Sequence, residues 1–562
     1  MDVYEAYQSA WQSLTAPGAD FEIVTETVHG NPCRVYKNAP LTLRDIWVSS
    51  QQFGDQDYLV YNDERMTYAE AHRQVASIVK WLQANGVQPG DRVAIAMRNY
   101  PEWMLAYWSI TSLGAAVVGM NAWWTTPEMS YAMEDSTPKV IILDDERLAR
   151  LEPKILEHTT TVLVRSAGQT PAGCTDWSSL TTGNHVLPDI PIDADSDACI
   201  FYTSGTTGRP KGAQLTHRGC VSNIYSMMFA GGILKFLAIQ AGTMSADDTP
   251  PTPSSLVTTP LFHVTANNCV AHGTTLGGGK LVHMYKWDAG QALQLIEAEK
   301  ITGLTGVPVM AREVMAHPDF ATTDTSSLLS LGGGGAQLQP DLVGKIDETV
   351  TNARPQTGYG MTETCGIITS ISADFFIDKP ESCGPAMPCY ETRIVNSEGE
   401  DVAHGETGEL WVRGAQVIRG YLNRVEATSE SIEDGWLRTG DIARLDDHDF
   451  IYIVDRLKDM VLRGGENIYC AEVESALFKH PAVQECSVFG VPDDRLGEEV
   501  GVAIFTDTEV RATELREFLA SLIAGMKIPR YIWFTNEPLP RNASGKFLKR
   551  ELRETLSISE AV

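Results

Sequence analysis

A chain of 562 residues is too long for one hydrophobic core and suggests roughly three or four domain-sized units. Its hydrophobic and charged fractions, 43% and 21%, are those of a globular protein. A formal net charge of −29 speaks against a general binder of nucleic acid or anionic membrane, which needs an extended basic surface. It leaves room for a small anionic ligand met by a local cluster of donors.

In chain order, the N-terminus MDVYEAYQSA lacks the basic start and apolar run of a signal peptide. Thr67 and Glu70 fit a capping box, with Val75, Ile78, Val79 and Leu82 at helical spacing behind them and a stop at Gly86. The turn QPGD leads to RVAIAM, a predicted strand. From Trp103 to Thr126 no residue is charged, a length that invites a membrane span. Ser109, Thr111, Ser112, Gly114, Gly119 and Asn121 within it favour a buried helix running into a buried strand, and no integral membrane segment is expected. The alternation recurs at PKVIILDD and around residues 198–228, which predicts an α/β fold with a mostly parallel sheet flanked by helices.

Residues 202–212, YTSGTTGRPKG, follow the apolar stretch Ala198–Phe201 and precede a segment from His217 to Met228 that fits a helix. The run is therefore predicted as a strand-to-helix loop. Residues 240–256, rich in Thr, Pro, Ser and Asp, read as a surface loop. Near residue 456 the character changes: a charged turn precedes a unit of about a hundred residues, the length of a small domain. That unit shows a helix from Ala471 to Lys479, strands at QECSVFGV and EVGVAIF, and a helix from Thr513. We divide the chain into residues 1–455, a large N-terminal domain, and 456–562, a small α+β C-terminal domain. The ten cysteines form no C-x-x-C pair, giving neither a zinc pattern nor a disulfide framework and pointing to a reducing cytoplasm.

Two stretches carry chemistry on their own terms. In YTSGTTGRPKG, Gly205 and Gly208 expose backbone N–H groups, Thr203, Ser204, Thr206 and Thr207 add hydroxyls, and Lys211 adds a cation. These are what a polyphosphate requires. The run is not a Walker loop, whose spacing occurs nowhere in the chain, and on composition alone it reads equally as a flexible linker. In GYGMTE, Tyr359 between Gly358 and Gly360 offers a flat face to a purine, and Glu363 near phosphates invites Mg2+. Taken singly, Tyr359 reads as a core aromatic and Glu363 as a surface acid.

With PLFHV (260–264), GGGGAQL (332–338), TGD (439–441), DRLKDMVLRGGENI (455–468) and PRNASGKFLKREL (540–552), these motifs resemble, in order, the adenylate-forming superfamily. That superfamily comprises acyl-CoA synthetases, peptide-synthetase adenylation domains and beetle luciferases. The resemblance implies a phosphate loop at 203–208 with Lys211, and nucleotide contacts from Gly335, Ala336, Gly358 and Tyr359. It gives Thr362 an α-phosphate contact, Glu363 the metal, and Asp441 and Arg456 the ribose. Lys546 becomes the catalytic lysine, with Thr362 and Glu363 beside it, and a cation there is worth most as charge shifts in the transition state. Lys458 becomes the hinge of a mobile small domain, and Gly464 and Gly465 line the path of the CoA pantetheine arm. His263, Gly334, Gly360 and Met361 fall to the acyl substrate. Relatives restricted to acetate carry a bulky aromatic at the place of Gly360, so glycine implies room for a longer chain. Cys470 departs from the pattern, standing where many relatives have proline.

The reading is an ATP-dependent carboxylic acid–CoA ligase with Mg2+, ATP and coenzyme A, with medium- or long-chain fatty acids as the expected substrate and aryl acids as the alternative. Rivals are a stand-alone adenylating enzyme with another acceptor and a catalytically silent nucleotide sensor. The chain ends soon after Lys546, which argues against an assembly-line enzyme. Homodimers are common among relatives, which leaves a homodimer open.

Overall fold

The computed structural model describes residues 2–203, 209–335, 338–350, 352–464, 466–506, 508–542 and 545–562. The predicted capping box forms. Thr67 accepts from the Glu70 backbone N–H and Glu70 returns to Thr67, opening helix Tyr68–Ala84, and Gly86 follows in the left-handed region at φ +79°. Its apolar stripe meets helix Pro101–Ser112, which starts with proline at its first turn and is buried almost all round. The uncharged stretch is thus a core helix followed by the buried strand Ala116–Gly119.

Two mostly parallel sheets flank that core. The first has seven strands, with Arg92–Ala96, Ala116–Gly119, Val140–Asp144 and Thr160–Val164 running parallel, and Asp197–Thr203 parallel beside Ala116–Gly119. The second has eight strands. In it Ser254–Val257, Lys280–His283, Gly303–Gly306, Ser330–Gly333 and Arg354–Met361 are parallel, and Gly366–Ser372 closes one edge antiparallel. Trp47, Trp103 and Trp108 are fully buried in one core that draws side chains from both sheets and the helices between them. Trp108 donates its indole N–H to the Tyr58 hydroxyl at 2.7 Å, so the deepest ring also has its polar atom satisfied. The architecture is the α/β class the alternation predicts.

The run before His217 differs from its prediction. Asp197–Thr203 does not lead into a helix; Lys211–Thr216 turns back antiparallel to it, with Thr203 opposite Lys211. The loop is a hairpin connection, and helix His217–Gln240 begins only after the second strand, capped by Thr216. The reason is tertiary. Strand Lys211–Thr216 finds a partner on its far side in residues 419–422, through Gln214 N–H to Gly420 O at 2.9 Å and Leu422 N–H to Gly212 O at 2.8 Å. Helix His217–Gln240 is the one described helix long and apolar enough to cross a membrane, and it runs through the core with Cys220, Val221, Ile224, Phe229 and Ile233 buried. The loop read at 240–256 ends earlier, at strand Ser254–Val257.

A third, antiparallel sheet contains Tyr390–Val395, Gly408–Gly414, Trp436–Leu445 and Ile451–Arg456. Beyond it, Val461–Arg463, Glu466–Ile468, Val483–Asp493, Gly497–Thr506 and Tyr531–Thr535 form a fourth sheet. Helices Cys470–Leu477 and Ala512–Ala520 pack on it around a separate core that includes Val461, Val488, Val502 and Leu515. All ten cysteines are free thiols, seven of them buried and the other three half-buried.

Candidate active site

Three elements converge on one carboxylate. Asp441, on strand Trp436–Leu445, lies opposite Arg456, the last residue of strand Ile451–Arg456. Cross-strand register alone brings the two together, and Arg456 Nε sits 2.9 Å from Asp441 Oδ1. From the second sheet, the Tyr359 hydroxyl donates to Asp441 Oδ2 at 2.6 Å. Burial and the Asp441 charge hold the Tyr359 phenol far above its usual value, so it remains a donor. Asp441 is only 2% exposed, whereas the Arg456 side chain is about half exposed and reaches into the cleft.

That cleft is a cavity of about 580 Å3 whose walls include Gly335, Gly358, Tyr359, Gly360, Asp441, Arg456 and Lys546. Lys546 arrives from the C-terminal end of the chain on a tight turn. Asn542 accepts the Lys546 N–H at its Oδ1, 3.0 Å, and its own N–H returns to Lys546 O at 2.8 Å. Gly545 in that turn has φ +80°, and a Cβ there would stand 2.8 Å from the Val307 side chain, so the turn docks directly against the large unit. Burial first, and then the Arg456 charge, lower the Lys546 pKa, while Asp441 and Glu363 pull it back. Burial, with the Lys546 charge adding to it, holds His263 at about 4, which leaves an uncharged imidazole at neutral pH.

Glu363 lies in the short turn Thr362–Thr364 that follows strand Arg354–Met361. Its Oε1 accepts a hydrogen bond from Tyr421 at 2.8 Å. The Lys211 ammonium lies 5.1 Å from the centre of the Tyr421 ring. Tyr421 therefore joins the hairpin lysine to the metal-type carboxylate, a link the sequence reading did not single out. The segment around it is held on both sides: Ile418 N–H donates to Glu363 O at 3.0 Å, and Tyr421 bridges Ala213. Its only local signal is the aromatic after Gly420.

Thr203 ends its strand next to Lys211, and its hydroxyl points at Lys211 O, 3.5 Å away. Ser204, Gly205, Thr206, Thr207, Gly208, Ala336 and Gly465 lie outside the described residues. Gly335 has φ +79° at the end of the Gly332–Gly335 run, a conformation that favours glycine. Gly334 and Met361 flank these elements, the first beside Thr265 and the second donating its N–H to Thr364 Oγ1 at 3.1 Å. Lys458 and Gly464 do not line the cleft. Lys458 is in the exposed turn after Arg456, and Gly464, at φ +60°, donates to Leu496 O in the small unit's hairpin.

Gly360 needs a correction of reason. A Cβ at this position would stand 1.9 Å from Gly366 O, because the antiparallel strands shift register between Tyr359 and Gly360. The glycine answers to this close backbone approach and gives no independent measure of acyl-pocket depth.

A buried cation, a carboxylate paired with an arginine, and an acid tethered by Tyr421 near Lys211 suit a nucleoside triphosphate. The comparisons agree. The profile of the AMP-binding enzyme family matches residues 46–422, and that of the AMP-binding enzyme C-terminal domain matches residues 472–546. The chain is 36% identical to a feruloyl-CoA synthase of Amycolatopsis sp over 495 residues, covering 87% of this chain and 93% of that protein. It is 32% identical to the long-chain-fatty-acid–CoA ligase FadD13 of Mycobacterium tuberculosis over 503 residues, 88% and 94% of the two chains. Among solved structures it resembles o-succinylbenzoate CoA synthetase (MenE) of Bacillus subtilis with its acyl-adenylate intermediate. That match has TM-score 0.74 and 29% identity, covering 90% and 97% of the chains. The chain belongs to the AMP-binding enzyme family and, within the adenylate-forming superfamily, is an AMP-forming acyl-CoA ligase.

Proposed function

We propose that the chain joins a carboxylic acid to coenzyme A in two steps on this cleft. The observation that carries the proposal is the convergence of Lys546, Arg456, Asp441 and Glu363 within electrostatic reach of one another. In the first step a carboxylate oxygen of the acid attacks the α-phosphorus of ATP, the bond to the β-phosphate oxygen breaks, and pyrophosphate leaves. In this reading Lys546 neutralises the charge that builds as two anions meet, with Thr362 beside the α-phosphate. Asp441, held by Tyr359 and Arg456, keeps lone pairs for the ribose hydroxyls. Lys211, Thr203 and residues 204–208 hold the phosphate tail.

A Mg2+ ion fits the donors present. Glu363 is a single carboxylate fixed by Tyr421, and no group of three His, Cys, Asp or Glu that would hold a metal alone exists among the described residues. Mg2+ keeps several waters and completes its shell on phosphates, so one protein carboxylate suffices. When bound it would offset phosphate charge. The MenE structure solved with ATP and magnesium supports this reading.

In the second step residues 456–562 turn about Lys458, withdrawing Lys546 and presenting Gly464 and Gly465. The CoA thiol attacks the acyl carbonyl, and AMP leaves with the bonding electrons of the mixed anhydride. A separate hydrophobic core in the small unit supports its moving as one body. With Gly360 explained by strand packing, fatty and aryl acids stand level, the first supported by the fatty-acid ligase relative and the second by the feruloyl-CoA synthase.

Purified protein with MgATP and a panel including ferulate, 4-coumarate, octanoate and palmitate, with and without CoA, tests the reading. Acyl-CoA and AMP from one acid class, identified by mass, are the expected products. Acyl-AMP accumulating in the presence of CoA would move the protein to another acceptor. ATP binding without pyrophosphate release from any acid would favour a nucleotide sensor.

A further inference from the structure

The turn proposed as the hinge is bracketed by a single carboxylate. Asp455 stands immediately before Arg456, and its Oδ1 accepts the Arg456 N–H at 2.7 Å. Its Oδ2 accepts the backbone N–H of Cys470, the first residue of helix Cys470–Leu477, on the far side of the turn. That helix receives no side-chain cap from its own N-cap residue, Tyr469, so Asp455 supplies an acceptor from outside the helix. Both partners are buried, Asp455 at 7% exposure and Cys470 at 0%. The Cys470 thiol adds a second tie, to Asp459 O at 3.0 Å, inside the same turn.

The donor at residue 470 is not a necessity of helix geometry. Proline would fit the first helical position equally well and has no N–H. This chain therefore makes a hydrogen bond that a proline chain cannot make. A rotation at Lys458 leaves Asp455 on its strand and carries Cys470 away, so the bond has to break with every swing.

We propose that the Asp455–Cys470 hydrogen bond is a latch that holds the small unit with Lys546 in the cleft, and so sets the balance between the two half-reactions. The inference rests on the two-step reading above. Asp455 and Cys470 are positioning residues; neither touches the reacting atoms. The titratable groups facing Asp455 are Glu474 and the Cys470 thiol on helix Cys470–Leu477, Tyr469 just before it, and Lys549 on helix Lys549–Thr555. Lys549 itself pairs with Glu474 at 2.9 Å. Burial raises Asp455 to about 6, against the pull of Lys549 and of the Arg456 and Cys470 N–H groups, with Glu474 adding to the rise. Without the Cys470 donor, an ionised Asp455 is buried short of a partner, and the Lys546-in orientation loses ground by about tenfold. The sign with pH follows from linkage. The orientation in which Asp455 is harder to ionise gains as pH falls, and exposure returns a carboxylate to about 3.9. Lowering pH from neutral through about 6 therefore shifts the balance toward Lys546-in.

The test compares Cys470→Pro, which removes the N–H, with Cys470→Ala, which keeps the N–H and removes only the thiol. Hydrogen–deuterium exchange of residues 461–477 in the MgATP-bound full chain needs no acid. About tenfold faster exchange in C470P than in C470A is expected. In parallel, ATP–pyrophosphate exchange with ferulate and palmitate should fall about tenfold in C470P relative to C470A. Thioester formation from preformed feruloyl- or palmitoyl-adenylate and CoA should hold or rise. C470P matching C470A in exchange, or losing both half-reactions equally, overturns the latch. Should C470P not fold, Asp455→Asn decides: the pH shift of the partition between half-reactions should vanish, and a wild-type shift overturns the proposal. If neither adenylate reacts with CoA even in the wild type, the two-step reading fails, while hydrogen exchange still judges the contact.

Discussion

In the proposed mechanism Lys546 works through its charge, and burial beside Arg456 makes that charge sensitive to pH. Lys546→Ala should lower ATP–pyrophosphate exchange by about 10²–10³-fold, the loss typical of one preorganised group facing developing charge. Thioester formation from a preformed acyl-adenylate should change little, because the residue is withdrawn by then. Burial and Arg456 lower its pKa below the usual 10.5, so the cation is lost earlier as pH rises. The pH–rate profile of adenylation should accordingly show an alkaline fall below the ordinary lysine range, absent from the thioester step. Tyr421→Phe keeps the ring beside Lys211 and removes only the hydroxyl that fixes Glu363. A hydrogen bond to a charged group is worth about 1.5–3 kcal/mol. The expected outcome is a Mg2+ requirement raised about tenfold or more in an adenylation titration.

At the scale of elements, local pattern served where local physics decides. Helix Tyr68–Ala84 was legible because a capping box and an apolar stripe act within one helix, and the strands of the small unit were legible from their apolar runs. The hairpin was misread because strand Lys211–Thr216 owes its form to residues 419–422, some two hundred positions away, which no window of sequence contains. Tyr421 escaped notice for the same reason, and Gly360 acquired a substrate role because its contact with Gly366 O exists only once the chain has turned back. The site residues were legible through order and resemblance, not through their individual chemistry. Among core elements, helix Pro101–Ser112 carries the heaviest burial. Trp108→Ala removes a ring at 0% exposure and leaves the Tyr58 hydroxyl with Thr275 alone. A loss of about 3–5 kcal/mol in urea unfolding is expected.

For the whole molecule, a net charge of −29 coexists with a cleft that gathers Arg456 and Lys546. Total charge keeps the protein from polyanions in general, while local charge receives one. Lys546 and Asp441, proposed as the catalytic lysine and the ribose carboxylate, come from opposite sides of the turn at 457–460, so the proposed chemistry is tied to how the two parts face each other. Lys458→Pro locks one backbone torsion at the pivot. It should retain ATP–pyrophosphate exchange and lose acyl-CoA formation, measured on the same preparation; loss of both would place the pivot elsewhere.

The free thiols have a practical consequence. Seven of the ten are buried and none is exposed, and burial raises the pKa of Cys389 to about 12. Maleimide dyes therefore have slow native competitors. One cysteine introduced on each side of the cleft would accept a donor and an acceptor fluorophore with the natural cysteines left in place. The rotation could then be timed in single molecules during turnover.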